Sequence, residues 1–165
     1  MDPQTEAMLE RLGVSRESRT RLETYVALLL SWQQKINLIG PATVPQVWSR
    51  HVADSVQLLP LLPAGTKIIA ELGSGAGIPG LVLAISAGLE AHLYESNSKK
   101  AAFLREAARQ TGTRAHIHVV RLEELHGHKD VPAVQCVVAR ALAPLPLLLD
   151  YAEPFLSKGA IALFH

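Results

Sequence analysis

Five short apolar runs alternate with helix-patterned segments through the last hundred residues of this 165-residue chain. The runs are "KIIAEL" (67–72), "AHLYES" (91–96), "AHIHVV" (115–120), "AVQCVVA" (133–139) and "AIALF" (160–164); between them lie "PGLVLAISA", "KKAAFLREAARQ" and "PLPLLLDYAEPFL". Strands that are apolar along their whole length must be covered on both faces, and helices between such strands make right-handed βαβ crossovers. The pattern therefore predicts an α/β fold built on a parallel sheet. With 48% hydrophobic residues, the chain carries enough apolar surface for a buried core.

Residues 1–65 read differently. "TEAMLERL" ends at Gly13, and Ser15 is placed to cap a second helix whose Leu22, Tyr25, Val26, Leu29, Trp32 and Ile36 repeat at the 3.6-residue period. Pro41 breaks the chain, and "TVPQVWSRHVADSVQLL" reads as one or two further short helices, stopped by Pro60 and Pro63. The expected organisation is a helical region over 1–65 packed on an α/β core over 66–165. No apolar run approaches the roughly 20 residues of a membrane span, and "MDPQTE" is not a signal peptide, so the expected location is cytoplasmic. The one cysteine, Cys136, excludes an internal disulfide and falls in an apolar strand, where burial is expected rather than nucleophilic chemistry. A net charge of +1 neither requires nor excludes a nucleic-acid partner, because a local basic patch survives inside a neutral total.

The stretch "ELGSGAGIPG", Glu71 to Gly80, follows the first strand and opens the first crossover helix, with Pro79 in its first turn. Ligands of open parallel sheets bind at the carboxyl ends of the strands, where a helix N-terminus offers free N–H groups. Two readings fit. Gly75, Gly77 and Gly80 spell G-x-G-x-x-G, with Glu95 20 residues beyond Gly75, the dinucleotide fingerprint. Glu71, Gly73, Gly75 and Gly77 spell E-x-G-x-G-x-G, the pattern of enzymes that use S-adenosylmethionine (SAM). There an acid before the glycines suits the ammonium of the methionine moiety and loop amides suit its carboxylate. Glu95 accepts from ribose hydroxyls in either case. A dinucleotide fold usually begins with its first strand, whereas here helices come first.

"INLIGP", "RHVADSV", "ELGSGAGIPGLVLAI", "LYESNSKKAAFLREAA", "RLEEL" and "ARALAPL", in that order and spacing, resemble the RsmG (GidB) family of bacterial small-subunit rRNA methyltransferases over essentially the whole chain. The resemblance implies a Rossmann-like seven-stranded methyltransferase fold behind a helical leader. It also implies SAM-dependent methylation of N7 of a guanosine in the 530 loop of 16S rRNA, nucleotide 527 in standard rRNA numbering, with S-adenosylhomocysteine (SAH) as product. The implied partner is 16S rRNA in the small ribosomal subunit or an assembly intermediate, with no membrane and no metal, and the full-length form is expected to be a monomer. Carried over by position, Gly73 and Ile78 match cofactor contacts at the glycine loop, Leu122 and Glu123 the adenine-side pair after the third strand, and Arg140 a contact at the end of the fourth. Gln135 and Glu95 stand where the family usually has aspartate. The family also continues beyond His165 with about two strands, so a chain ending there is expected to expose an apolar sheet edge and to aggregate or pair through it.

Guanine N7 has an in-plane lone pair and no proton, so its methylation needs no general base, only proximity, orientation and exclusion of water. Arg140, at a strand end, is expected to hold cofactor, RNA phosphate or guanine O6, or else to pair with Glu123, Glu71 or Asp150. In "RHVADS", Arg50 and Asp54, and His51 and Ser55, share a helix face, which reads either as surface pairing or as part of an RNA cleft. Lys99, Lys100, Arg105 and Arg109 make a basic helix side, either solvated or an RNA phosphate track. His116 with His118, and His126 with His128, find no cysteine or acid at ligand spacing, so no metal site is expected. Two other readings remain at this point: a nicotinamide-dependent oxidoreductase, and a noncatalytic rRNA-binding or assembly protein.

Overall fold

The computed structural model describes residues 1–125 and 131–165. Helices α1 (Pro3–Arg11) and α2 (Arg16–Gln33) lead, followed by a 3-10 turn (Pro41–Gln46), a π-helical turn (Trp48–Ala53) and the short α3 (Asp54–Val56). Then come β1 (Ile68–Leu72), α4 (Gly80–Ala87), β2 (Glu90–Tyr94), α5 (Ser98–Thr111), β3 (Ala115–His118), a 3-10 turn (Leu122–Leu125), β4 (Cys136–Ala139), α6 (Leu145–Leu156) and β5 (Ile161–Phe164). The helix starts are set by side-chain caps. Asp2 accepts from Thr5 N–H, Ser15 from Ser18 N–H, and Asn97 from the N–H groups of Lys99 and Lys100, each satisfying donors the helix itself leaves free.

The five described strands are all parallel, in the order β3-β2-β1-β4-β5. The chain runs outward from β1 to β3 and then returns to the other side of β1 for β4, so the topological switch lies between β1 and β4. In such sheets the crevice at the switch is where ligands sit. The glycine loop leaves β1 at that point.

Each face of the sheet has its own core. On one, α2, α4 and α5 pack against Ile69, Ala91, Leu93, Cys136 and Val138; on the other, α6 and the Leu122–Leu125 turn cover Ala70, Leu72, Tyr94, Val137 and Ala139. The alternation within a single strand, Ile69 to one side and Ala70 to the other, is why the runs read as continuously apolar. The leader belongs to the first core: Tyr25 and Trp32 of α2 meet Phe103 of α5 at ring-centroid distances of 6.2 and 5.7 Å. Burying a ring the size of Phe103, which is 0% exposed, contributes about 2–3 kcal/mol. Cys136 is likewise sealed in β4, and burial pushes its thiol up to about 11, too high for a nucleophile at neutral pH. Among the described residues no helix is long and apolar enough to cross a membrane.

Candidate active site

The backbone of the loop between β1 and α4 is tied down at three points. Ser74 N–H donates to the Tyr94 carbonyl at 2.9 Å, Gly75 N–H donates to Glu95 Oε2 at 2.7 Å, and the Tyr25 hydroxyl donates to the Ala76 carbonyl at 2.8 Å. Gly73 has φ +66°, a turn that favours glycine, and a Cβ there would stand 2.5 Å from Leu142 Cδ1 and displace that side chain.

Two cavities meet at Gly73 and Gly75. The first, about 420 Å³, is bordered by Glu95, Lys100, Leu122, Glu123, Leu142 and Tyr151. The second, about 410 Å³, is bordered by Leu38, Ile39, His51, Ile78, Lys100 and Arg140. Both are of the size that holds a small ligand. A larger depression, about 770 Å³, lies between the N-terminus and Pro45–Ser49; its one ionisable side chain, Asp2, already caps α1.

Glu95 lies just beyond β2 and is 8% exposed. Its Oε2 takes the Gly75 N–H and its Oε1 takes the Asn97 N–H, both at 2.7 Å. Each oxygen retains a further lone pair, so the carboxylate is aimed by the backbone and still able to accept from a diol. Leu122, 8% exposed, forms an apolar wall. Glu123 accepts from the Tyr151 hydroxyl at 2.9 Å; its own backbone N–H first, then Tyr151, hold its carboxyl below the usual range.

Glu71 is placed otherwise. It is 1% exposed and borders neither cavity: Oε1 accepts from Gly80 N–H at 2.8 Å, and Oε2 is the one buried side-chain polar atom without a partner among the described residues. Burial pushes its carboxyl up to about 8, with Glu95 adding a smaller rise. Gly80 is part of this contact, since a Cβ there would lie 2.7 Å from both Glu71 Cβ and Oε2. Gly77 likewise shapes the loop without bordering either cavity.

Arg140 follows β4 and turns toward the leader. Its Nη2 bonds Asp54 Oδ2 and the Arg50 carbonyl, both at 3.1 Å, and its Nη1 lies 3.4 Å from His51 Nδ1. The partners expected for it, Glu123, Glu71 and Asp150, are thus replaced by Asp54, 86 residues away in sequence. The same contact takes Asp54 away from the helix-surface pairing expected with Arg50, which contributes its carbonyl. An arginine only donates, so His51 presents Nδ1 as acceptor and donates from Nε2 to Thr43 Oγ1 at 2.8 Å. Burial, then Arg140, lowers the His51 pKa and keeps the ring neutral. Ala141, next along, has φ +47° and is the one described non-glycine residue in the left-handed region.

The structure also divides the lysine pair. Lys100 borders both cavities, whereas Lys99 points to a separate pocket beside Trp32 and Lys35. His126 and His128 lie outside the described residues. For His116 the sheet supplies the acid that sequence spacing did not, Glu90. Three bordering or bracing residues escaped the sequence reading: Tyr25, which periodicity marks only as core, and Leu142 and Tyr151, for which no local signal exists.

A parallel sheet with the glycine loop at its switch point and an acid at the end of β2 defines a Rossmann-like fold with a cleft for a nucleoside-bearing cofactor. Solved structures agree on the fold: TehB from Haemophilus influenzae superposes with a TM-score of 0.55 at 14% identity, covering 74% of this chain and 44% of that one. A tRNA (uracil-54, C5)-methyltransferase from Pyrococcus abyssi in complex with S-adenosyl-L-homocysteine gives 0.50 at 19%, covering 68% and 28%. The chain belongs to the GidB family, rRNA small subunit methyltransferase G, whose pattern matches residues 18–165. Ribosomal RNA small subunit methyltransferase G of Methylobacterium nodulans is 52% identical over 163 residues, 95% of this chain and 75% of that protein. A methyltransferase needs a methyl donor, and the first cavity suits the SAM expected from the glycine pattern: a carboxylate at Glu95 with room to accept from a diol, an apolar wall in Leu122, and loop glycines that leave room. A Cβ on Gly75 would meet nothing nearer than the Gly73 carbonyl at 3.9 Å, in the space the two cavities share.

Proposed function

We propose that this protein methylates N7 of the guanosine at position 527 in the 530 loop of 16S rRNA, within the small ribosomal subunit or an assembly intermediate. The observation that carries the reading is the pair of cavities joined at Gly73 and Gly75, one ending in the Glu95 carboxylate and the other bordered by Arg140, Lys100 and His51. The first suits the cofactor. The second suits a base presented on an anionic backbone.

Bound SAM supplies a methyl group on a positively charged sulfur. The residues of this chain hold and orient. Glu95, fixed by two backbone amides, receives the ribose hydroxyls, and Leu122 covers the adenine. The joined cavities bring base and cofactor together in a fixed orientation, the contribution that an unprotonated nucleophile needs. Arg140, clamped by Asp54 and the Arg50 carbonyl, contacts guanine O6 or a phosphate; on N7 itself it would occupy the lone pair that reacts. With a net charge of only +1, the protein has no broad basic field to order a flexible RNA, so preorganised phosphates of a folded subunit make the better substrate.

Incubation with SAM and small subunits lacking the modification, followed by chain cleavage at 7-methylguanosine and primer extension, tests the assignment. A single stop at 527, stronger on subunits than on a short 530-loop hairpin, is the expected result. Methylation at another base, or equal rates on the hairpin, overturns the corresponding part.

A further inference from the structure

We propose that Glu90, His92 and His116 form a binding site for a borderline divalent transition-metal ion, of which Zn²⁺ is the type, on the outer edge of the sheet. The site stands apart from the methyltransferase reading. Glu90 begins β2 and Glu95 follows its end, so at about 3.3 Å per residue the two carboxylates are roughly 16 Å apart along the strand.

The sheet register builds the site. His92 of β2 is directly opposite His116 of β3, and Glu90, two residues before His92, points to the same face. Their ligand atoms all lie within 4.8 Å of one another. Glu90 Oε1 is 3.6 Å from His92 Nε2 and 3.2 Å from His116 Nε2. A tetrahedral ion with ligands at 2.0–2.1 Å needs ligand-to-ligand separations of about 3.3–3.4 Å, so these two edges change by only a few tenths of an ångström, while the exposed His116 ring must also tilt out of its stack on His92 so that both in-plane lone pairs meet at the ion. Two imidazoles and one carboxylate make a set that favours zinc or its neighbours over magnesium or calcium, and three protein ligands leave a fourth position for water.

The surroundings also match what a metal-binding histidine requires. His92 Nδ1 lies 3.0 Å from His118 Nε2. When that contact is a donation from Nδ1–H, it fixes the tautomer whose Nε2 is unprotonated beside Glu90 Oε1, the role outer-shell partners play at metal sites. His92 is held by stacking on His118 at 5.3 Å and 17°, and His118 by stacking on Tyr94 at 4.5 Å and 12°; the stack of His116 on His92, at 4.6 Å and 18°, is the contact an ion would open. Solvent reaches the site through His116, whose side chain is 56% exposed. Glu90 Oε2 has a second neighbour, Arg114 Nη1 at 3.8 Å, but that side chain is 77% exposed and the contact is weak. An ion here would clip β3 to β2.

Titration of the metal-free chain with Zn²⁺, and with Co²⁺ followed by its visible absorption, tests the proposal. One equivalent should bind, with the intense Co²⁺ bands of four-coordination, and Zn²⁺ should raise the melting temperature. His116→Ala and Glu90→Gln should each weaken binding by more than about 100-fold, and His118→Phe, which keeps the stack but not the hydrogen bond, by about 10- to 100-fold. Arg114→Ala should leave binding intact or tighten it. Melting of each variant without metal controls for folding. Absence of saturable binding, or binding of full strength in His116→Ala, overturns the site; the second result would place the ion on other histidines.

Discussion

Two glutamates stand 24 residues apart, Glu71 in β1 and Glu95 just past the end of β2, and do opposite things. Both accept a backbone N–H from the segment that leaves β1, Glu71 from Gly80 and Glu95 from Gly75. Glu95 keeps one edge on a cavity and has both oxygens engaged by backbone N–H groups, each with a further lone pair to spare. Glu71 has lost solvent altogether, has one oxygen without a partner, and holds its proton to about pH 8. The difference teaches that residue type and proximity to a glycine loop do not fix a role. Access to water does, because desolvation acts against the charged form. Glu71 is a clamp beneath α4, and Glu95 is the one of the two that borders a cavity.

The largest effect expected from this contrast is on pH dependence. The folded pKa of Glu71, about 8, lies above the 4.5 of an ordinary glutamate, so between those values the folded state holds more proton than the unfolded one. Its contribution is therefore fully present below about pH 4.5 and is lost as pH rises toward 8, with a slope of order 1 kcal/mol per pH unit. Glu71→Gln, which still accepts from Gly80, should flatten that slope in urea midpoints measured from pH 5 to 8. A slope unchanged in the variant would show that Glu71 is ionised throughout. Next in size, Glu95→Ala should weaken SAH binding by about 2–4 kcal/mol, the worth of a pair of charge-assisted hydrogen bonds. Calorimetry that finds equal affinity would erase the contrast between the two acids. Gly80→Ala should then cost about 1–3 kcal/mol of stability through its contact with Glu71. That cost should shrink in a Glu71→Gly background, which removes Cβ as well as the carboxylate, a coupling that a double-mutant cycle reads directly.

Smaller effects sharpen the boundary of the second cavity. Arg140→Lys keeps the charge but loses the fork that bonds Asp54 and the Arg50 carbonyl, and should lower kcat/KM on subunits by about tenfold with SAH affinity unchanged. Smallest of all, Lys99→Ala should change that value by less than about twofold, while Lys100→Ala lowers it several-fold.

Much of the fold was legible because its signals are local. Every apolar run became a strand, and "PGLVLAISA" became α4 with a one-residue difference at its start. Ser15 capped α2 as its spacing required. The glycine loop and Glu95 could be placed at one cleft because 20 residues of a βαβ unit return the chain to the adjacent strand end. What sequence could not give was contact across register and across layers. Arg140 meets Asp54 because the segment after β4 turns toward the leader, and Glu90 reaches His116 because β2 and β3 pair at His92. Neither spacing recurs in any local pattern. Tyr25 shows a third limit: the helical period correctly buries it and is silent about the hydroxyl, although that hydroxyl is what holds the loop.

Ala141 sets its own rule for which sequences the rim of the cleft admits. With φ at +47° immediately after Arg140, its methyl is tolerated at a cost of about 1–2 kcal/mol, whereas a β-branched side chain meets a much steeper barrier. Glycine and asparagine are therefore the natural replacements there, and valine and isoleucine are excluded. A library randomised at position 141 and sorted for folded protein should return that short alphabet, although the neighbouring Arg140 and Leu142 occupy ordinary backbone.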